Sequence, residues 1–196
     1  MQRRRFVAGG MAAVMSLAAR NRGSTHAAFD SATPAATAGT FDMVITRRFD
    51  APVVRVWQAW SDAEDVKRWW GPKGFTTPVA DLDFREGGTS LVCMRSPEGQ
   101  DLYNTWTYTE IVPMERIEFV QRFADEEGKP IAPEDAGLPP ELPREVRHVI
   151  AFTAASADTT EMTVTEYGYK AEWLVKLSRA GMDECLDKMA AIFARE

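Results

Sequence analysis

The sequence predicts an α+β fold that combines an antiparallel sheet of about six to seven strands with one long C-terminal helix. Most of the chain between Thr77 and Tyr167 consists of short runs rich in β-branched and aromatic residues. Turn residues separate these runs, which is typical of an antiparallel meander. One strand-like run and two short helical segments come before the meander. A single long segment with helical periodicity follows it.

The composition is that of a globular protein with one domain. The 196 residues are 45% hydrophobic and 27% charged, which suits a domain of about 150 residues plus an extension. The formal net charge of −6 argues against a nucleic-acid partner, because such a protein needs positive charge to neutralise phosphates. Only two histidines and two cysteines are present, so a metal cage of these residues is nearly excluded. We therefore predict no metal and no cofactor.

Residues 1–38 are predicted to be an export signal and linker. Three arginines at residues 3–5 precede the apolar stretch VAGGMAAVMSLAA at residues 7–19. This stretch is too short and too rich in Gly and Ala to span a bilayer, but it suits the core of a signal peptide. The order Arg-Arg-Arg-Phe-Val resembles a twin-arginine export signal. Cleavage after Ala27 or after Ala38 would follow a small-x-small pattern.

The predicted location is therefore the periplasm or the outside of a bacterial cell. The alternative is a mis-assigned start codon with initiation near Met43, which would leave the protein in the cytoplasm. Without residues 1–38, 18 basic residues stand against 28 acidic ones, a net charge of −10. We do not expect the domain, residues 41–196, to bind a membrane or another anionic partner in its mature form.

The first strand and two short helices follow from local patterns. Met43–Phe49 alternates apolar and polar side chains, which indicates a strand. Pro52 suits the first turn of a helix, and apolar residues at helical spacing continue to about Ser61. Asp62–Trp70 is predicted to be a second short helix, ended by Gly71-Pro72.

Turn-forming residues then separate six predicted strands. Gly87-Gly88 and Pro97-Glu98-Gly99 mark tight connections, whereas the acidic, proline-rich insert at residues 124–143 is long. We interpret the insert as a solvated loop, with a gate over a cavity or a partner site as alternatives. The six predicted strands are Thr77–Phe84, Thr89–Arg95, Asp101–Ile111, Arg116–Phe123, Arg144–Ala154 and Thr160–Tyr167.

The last predicted element is a helix at Ala171–Ala194, where apolar residues recur three and four apart and charged residues lie opposite. The order of one strand, two helices, six strands and a closing helix resembles the helix-grip fold of the START and birch-pollen-allergen (SRPBCC) superfamily. That resemblance implies a curved sheet wrapped round the last helix, with a cavity between them.

Over residues 41–194 the sequence resembles one family of that superfamily, named after the activator of heat-shock-protein ATPase (AHSA-like). The matching segments are Phe49-Asp50-Ala51-Pro52, Val56-Trp57-Gln58-Ala59-Trp60, Trp69-Trp70-Gly71-Pro72, Gly87-Gly88, Pro97-Glu98-Gly99, Tyr108-Thr109-Glu110-Ile111-Val112-Pro113 and Arg116-Ile117. Two positions depart from the family pattern. Trp106-Thr107 stands where many relatives have glycine, and Gly181-Met182 where relatives often have Gly-Trp. Both changes are expected to reshape a cavity.

The implied fold would bring aromatic and methionine side chains together between the sheet and the last helix. We predict that they line an apolar cavity with a few polar groups, suited to a small hydrophobic molecule. Packing in an ordinary core is the alternative for each residue taken singly. The candidate ligand-binding residues are Trp69, Trp106, Tyr108, Phe119, His148, Phe152, Trp173 and Met182.

The polar residues of the domain do not predict a catalytic site. His148 could act as an acid or base, but the sequence places no clear partner beside it, so no catalytic residue is predicted. Glu110 and Glu166 are strand acids that we expect to be solvated. Cys93 and Cys185 are expected to be buried free thiols, because a strand and a helix packed on it lie about 10 Å apart.

Three functional hypotheses follow. The leading one is an exported, non-enzymatic protein that binds a small hydrophobic ligand. The second is an aromatase- or cyclase-like enzyme that orients a reactive ligand with Tyr108 and His148. The third is a chaperone-interaction module, which the family name implies and which would need a cytoplasmic protein.

Overall fold

The computed structural model describes residues 39–194, so the predicted export signal and linker lie outside the described residues. The strands are β1 (Phe41–Phe49), β2 (Thr76–Asp81), β3 (Thr89–Arg95), β4 (Asp101–Val112), β5 (Arg116–Ala124), β6 (Glu145–Ser156) and β7 (Thr159–Tyr169). The helices are α1 (Val53–Ser61), α2 (Ala63–Trp69) and α3 (Glu172–Phe193), with a short 3-10 helix at Pro133–Ala136.

The seven strands form one antiparallel sheet in the spatial order β1-β7-β6-β5-β4-β3-β2. The sheet is curved, and α3 lies against its concave face, which confirms the predicted helix-grip fold. The largest difference from the predicted boundaries is in β2, which ends at Asp81 rather than Phe84. A turn takes over there: the Arg85 N–H donates to the Asp83 carbonyl over 2.9 Å.

A single aspartate separates the two short helices. Pro52 occupies the N-cap position of α1, and its carbonyl accepts hydrogen bonds from the N–H groups of Arg55 (2.9 Å) and Val56 (3.1 Å). Asp62 then ends α1 in extended backbone and caps α2, because its Oδ1 accepts from the Asp65 N–H over 3.0 Å. The chain therefore turns sharply between α1 and α2 and presents both to the sheet.

Helices α1 and α2 fill one half of the concave face. Trp60 of α1 packs on Trp69 of α2 with ring centroids 4.6 Å apart and approaches Trp106 of β4 at 6.3 Å. Trp57 packs edge-on against Phe152 of β6 at 5.3 Å. This half of the sheet holds the solid core of the domain, and we call it the packed half.

Strand register brings three side chains into one row on the concave face. Phe119 of β5 pairs with His148 of β6, which in turn pairs with Glu166 of β7. All three side chains are buried. The row crosses the centre of the sheet and marks the end of the packed half.

Both cysteines are buried free thiols, which confirms that prediction. Burial raises the pKa of the Cys93 thiol to about 11 and that of the Cys185 thiol to about 12. Both therefore remain protonated near neutral pH, where a thiol is a poor nucleophile. Within residues 39–194, no helix is long and apolar enough to cross a membrane.

Candidate functional site

A cavity of about 450 Å³ opens between the sheet and α3, beyond the packed half. Strands β3 to β7, helix α3, the loop between α2 and β2 and the insert between β5 and β6 supply its walls, and α1 and α2 supply none of the lining. Most of the wall is apolar. The larger apolar residues that line it are Trp70, Phe75, Met94, Leu102, Phe123, Leu138, Leu142, Val146, Leu177 and Met182.

The proline-rich insert forms one wall of this cavity. Leu138 and Leu142 both line it. The insert is fastened to the sheet, because the Ile131 N–H donates to the Phe123 carbonyl over 2.9 Å and Gln100 Nε2 donates to the Ala136 carbonyl over 3.3 Å. The interpretation of the insert as a solvated loop is therefore wrong for the part around Leu138 and Leu142. These apolar side chains face the cavity and not the bulk solvent.

A half-buried lysine stabilises the opposite rim. Lys188 of α3 donates from Nζ to the carbonyls of Gly71 (2.9 Å), Trp70 (3.1 Å) and Phe75 (3.2 Å). Burial lowers the pKa of the Lys188 ammonium group. These bonds fasten the loop between α2 and β2 to the helix, so this rim of the cavity and α3 form one unit.

Polar side chains gather at the inner end of the cavity. Asn104, Gln121, His148 and Glu166 all contribute to the lining. Oδ1 of Asn104, Oε1 of Gln121 and both ring nitrogens of His148 are buried without a hydrogen-bond partner in the protein. Such groups are rare in folded proteins, because an unpaired buried polar atom costs about 1–3 kcal/mol. They are the chemical feature that distinguishes this cavity from a packing defect.

Glu166 is buried at this inner end and accepts hydrogen bonds from the hydroxyl groups of Tyr169 and Ser178. Its Oε1 lies 3.7 Å from Nδ1 of His148. The expectation that Glu166 is solvated is therefore wrong, and His148 has an acidic neighbour that was not predicted. The two residues are 18 apart in sequence, yet directly opposite in the β6–β7 hairpin.

His148 is held in its neutral form. The residue is 2% exposed, and burial lowers the pKa of its imidazole, while the nearby Glu166 opposes that shift. The ring stacks on Phe119 with centroids 4.7 Å apart and planes 9° apart. A fixed, neutral imidazole beside a carboxylate can accept a hydrogen bond or a proton from a bound molecule. Among residues 39–194, no group of three or more His, Cys, Asp or Glu side chains is placed to hold a metal ion.

The family comparison matches residues 50–194 to the model described as activator of Hsp90 ATPase homolog 1-like protein. The chain belongs to this family. The matched segment runs from the end of β1 through α3, so every wall of the cavity lies inside the family domain. None of the curated proteins compared with the chain matches it.

Solved structures share the fold of this AHSA1-like domain. Protein Ms6760 from Mycobacterium smegmatis is 29% identical, with a TM-score of 0.63 over 79% of this chain and 90% of that one. A protein from Arthrobacter aurescens is 26% identical, with a TM-score of 0.67 over 79% and 87%. The AHSA1 protein from Silicibacter pomeroyi is 20% identical, with a TM-score of 0.64 over 79% and 98%. The likeness extends over nearly the whole length of these proteins.

The eight candidate residues separate into three groups. His148 and Met182 line the cavity. Trp173 is 38% exposed, so its predicted position against the sheet is wrong: the adjacent Leu174 takes the inward position in the first turn of α3. The other five are buried outside the cavity lining, in or beside the packed half: Trp69, Trp106, Tyr108, Phe119 and Phe152.

Adjacent tryptophans at the end of α2 have different roles. Trp69 lies on the helix, packs on Trp60 and donates from Nε1 to the Ala59 carbonyl over 2.7 Å. Trp70 follows the helix in extended backbone, and its side chain lines the cavity with Nε1 unpaired. The cavity tryptophan is thus Trp70 rather than the predicted Trp69.

The departure from the AHSA-like pattern at Trp106 explains where the cavity ends. Trp106 packs on Phe119 with centroids 5.1 Å apart and on Trp70 at 4.7 Å. Next to it, the Tyr108 hydroxyl shares a 3.0 Å hydrogen bond with Ser90, and burial raises the pKa of Tyr108 to about 12. These large side chains fill the space where a glycine would leave room.

Two polar lining residues, Asn104 and Gln121, were not predicted from the sequence. Asn104 and Gln121 each lie two residues from an inward-facing aromatic, Trp106 and Phe119 respectively. Strict alternation therefore points both of them inward. A polar residue at an inward position of a predicted strand was the available signal for this site.

Proposed function

We propose that this protein binds one small, mainly apolar molecule in the cavity between the sheet and α3. The observation that carries the proposal is an apolar cavity whose inner end holds the unpaired polar atoms of Asn104, Gln121 and His148. Ligand sites typically combine an apolar lining with a few such convergent polar groups. The AHSA1-like fold, which commonly binds small hydrophobic ligands, supports the proposal.

Binding is expected to be measurable with a neutral fluorescent probe. The dye N-phenyl-1-naphthylamine is apolar and fluoresces more strongly when it leaves water. Titration into the purified protein should give a saturable rise in fluorescence with one site per chain, because the cavity is a single space bounded by α3 and the insert. Native mass spectrometry of the unheated protein should show a co-purifying small molecule. A non-saturable response together with a ligand-free mass would contradict the proposed function.

We also propose that the protein works after export, on the basis of the arginine-rich start and apolar stretch in residues 1–38. N-terminal sequencing of protein from the native bacterial host should find the mature chain beginning after Ala27 or after Ala38. Replacing Arg3 and Arg4 by lysine should leave the uncleaved precursor in the cytoplasm. Wild-type protein recovered from the cytoplasm with its N-terminus at Met43 would contradict export.

A further inference from the structure

The inner end of the cavity offers hydrogen-bond acceptors that the protein does not satisfy. Oδ1 of Asn104 and Oε1 of Gln121 have no donor within reach, and Asn104 is completely buried. Each can accept hydrogen bonds. A bound molecule that supplies an O–H or N–H group would pair them.

Three nearby donors are already in use. The hydroxyl groups of Tyr169 and Ser178 both donate to Oε2 of Glu166, and Nδ2 of Asn104 donates to the Leu102 carbonyl over 3.4 Å. Within residues 39–194, the lining donors without a hydrogen bond to the protein include Nε1 of Trp70, which is buried, and Nε2 of Gln121, which is not fully buried. The unpaired buried atoms of the lining are therefore mainly acceptors, and a ligand with donor groups would pair them.

His148 adds a further acceptor. A neutral imidazole carries hydrogen on only one ring nitrogen. Oε1 of Glu166 lies 3.7 Å from Nδ1, so the carboxylate favours the hydrogen on that nitrogen. Nε2 is then a bare acceptor, and it too is buried without a partner.

The charges around the cavity disfavour an anionic ligand. Glu166 is 2% exposed, and its Oε2 accepts hydrogen bonds from two hydroxyl groups, so this acidic side chain is buried at the inner end of the cavity. Repulsion between two negative charges is strong where water is excluded. The lining cation Lys73 is exposed, so water screens it at the mouth of the cavity. The ammonium group of Lys188 lies outside the lining and donates to three carbonyls of the rim.

We infer that the cavity selects an uncharged molecule whose apolar body carries at least one hydroxyl or N–H donor, and that it discriminates against carboxylates such as fatty acids. This inference rests on the proposed function and specifies its ligand class. Donors on the ligand would pair the free acceptors of Asn104, Gln121 and His148. Loss of one such pairing leaves a buried acceptor unsatisfied, which gives strong discrimination between otherwise similar ligands.

A series of bicyclic probes tests the selectivity by competition with N-phenyl-1-naphthylamine at pH 7. The probes are naphthalene, 2-naphthol, 2-methoxynaphthalene and 2-naphthoate, which share one ring system and differ in a single substituent. We expect 2-naphthol to bind about tenfold more tightly than 2-methoxynaphthalene, which has no donor. It should also bind about tenfold more tightly than 2-naphthoate, which brings a negative charge.

Two variants assign these preferences to side chains. Gln121→Met keeps the length of the side chain but removes its acceptor, so it should reduce the preference for 2-naphthol over naphthalene about fivefold, because naphthalene has no donor to pair with that acceptor. Glu166→Gln removes the negative charge, so it should recover about fivefold in 2-naphthoate binding. Circular dichroism confirms folding of each variant, and the wild-type series decides the matter if a variant does not fold.

The outcomes separate this inference from the proposed function. Equal affinities for 2-naphthol, 2-methoxynaphthalene and 2-naphthoate, with N-phenyl-1-naphthylamine still bound, would overturn the selectivity and leave the binding function standing. Tighter binding of 2-naphthoate than of 2-naphthol would overturn it in the same way. Failure of every probe, the dye included, would overturn both.

Discussion

Replacing Trp106 by alanine is expected to lower the free energy of unfolding by about 3–5 kcal/mol. Its side chain is completely buried and contacts the rings of Trp60, Trp70 and Phe119. Truncation would remove the apolar contacts of a large ring and leave a space that these neighbours can fill only in part. Chemical denaturation followed by circular dichroism measures the loss.

Trp173 supplies the matched control for this change. It is the same residue type but is 38% exposed at the start of α3. Trp173→Ala should therefore cost about 0.5 kcal/mol or less, as is usual at the protein surface. Equal losses at the two positions would mean that Trp106 does not occupy the solid core described above.

Replacing Gly181 by phenylalanine is expected to weaken binding of N-phenyl-1-naphthylamine roughly twentyfold or more, with no loss of stability. Gly181 lines the cavity from α3, and a Cβ atom added there would meet only Pro72, with Cγ 3.8 Å away. The new ring would therefore extend into the cavity and take the space of the dye. Glycine inside a helix is unfavourable by about 1 kcal/mol relative to alanine, so the variant also gains helix propensity.

The control for this variant is Gly181→Ala. It replaces the glycine with the residue of highest helix propensity and adds no ring, so it should be at least as stable as the wild type and retain the dye. Fluorescence titration gives the dissociation constants, and thermal unfolding gives the stabilities. Unchanged dye affinity in a folded Gly181→Phe protein would show that the dye binds elsewhere.

The sequence predicts the fold well because each helix and strand is marked by a pattern within a short stretch of residues. Alternation identifies the strands, the dipeptide Gly87-Gly88 marks a turn, and the order of elements indicates the helix grip. Asp62 illustrates the limit of local patterns, since a residue expected to open α2 also ends α1.

The candidate site is predicted less well because its position depends on which part of the concave face the side chains of α1 and α2 fill. Trp106 and Phe152 point inward as alternation requires, yet Trp57 and Trp60 of α1 cover them. No pattern in the sequence predicts how much of the concave face α1 and α2 cover. His148 and Met182 line the cavity because they lie beyond that reach.

The neighbour of His148 could have been found by counting. The β6–β7 hairpin turns between Ser156 and Thr159, and counting back along both strands from that turn brings His148 opposite Glu166 to within one residue. A one-residue bulge near Ala154 sets the final register. Bulges of this kind decide which side chains meet, and single-strand alternation does not reveal them.

The three carbonyls held by Lys188 bear on how a ligand enters and leaves. These bonds attach one rim of the opening to α3. The opposite rim, around Leu138 and Leu142, belongs to a loop that is hydrogen-bonded to β5 and to Gln100. We therefore expect ligand entry and release to depend on movement of this loop rather than of the helix. Substitutions in that loop would then change the residence time of the ligand without changing the side chains that bind it.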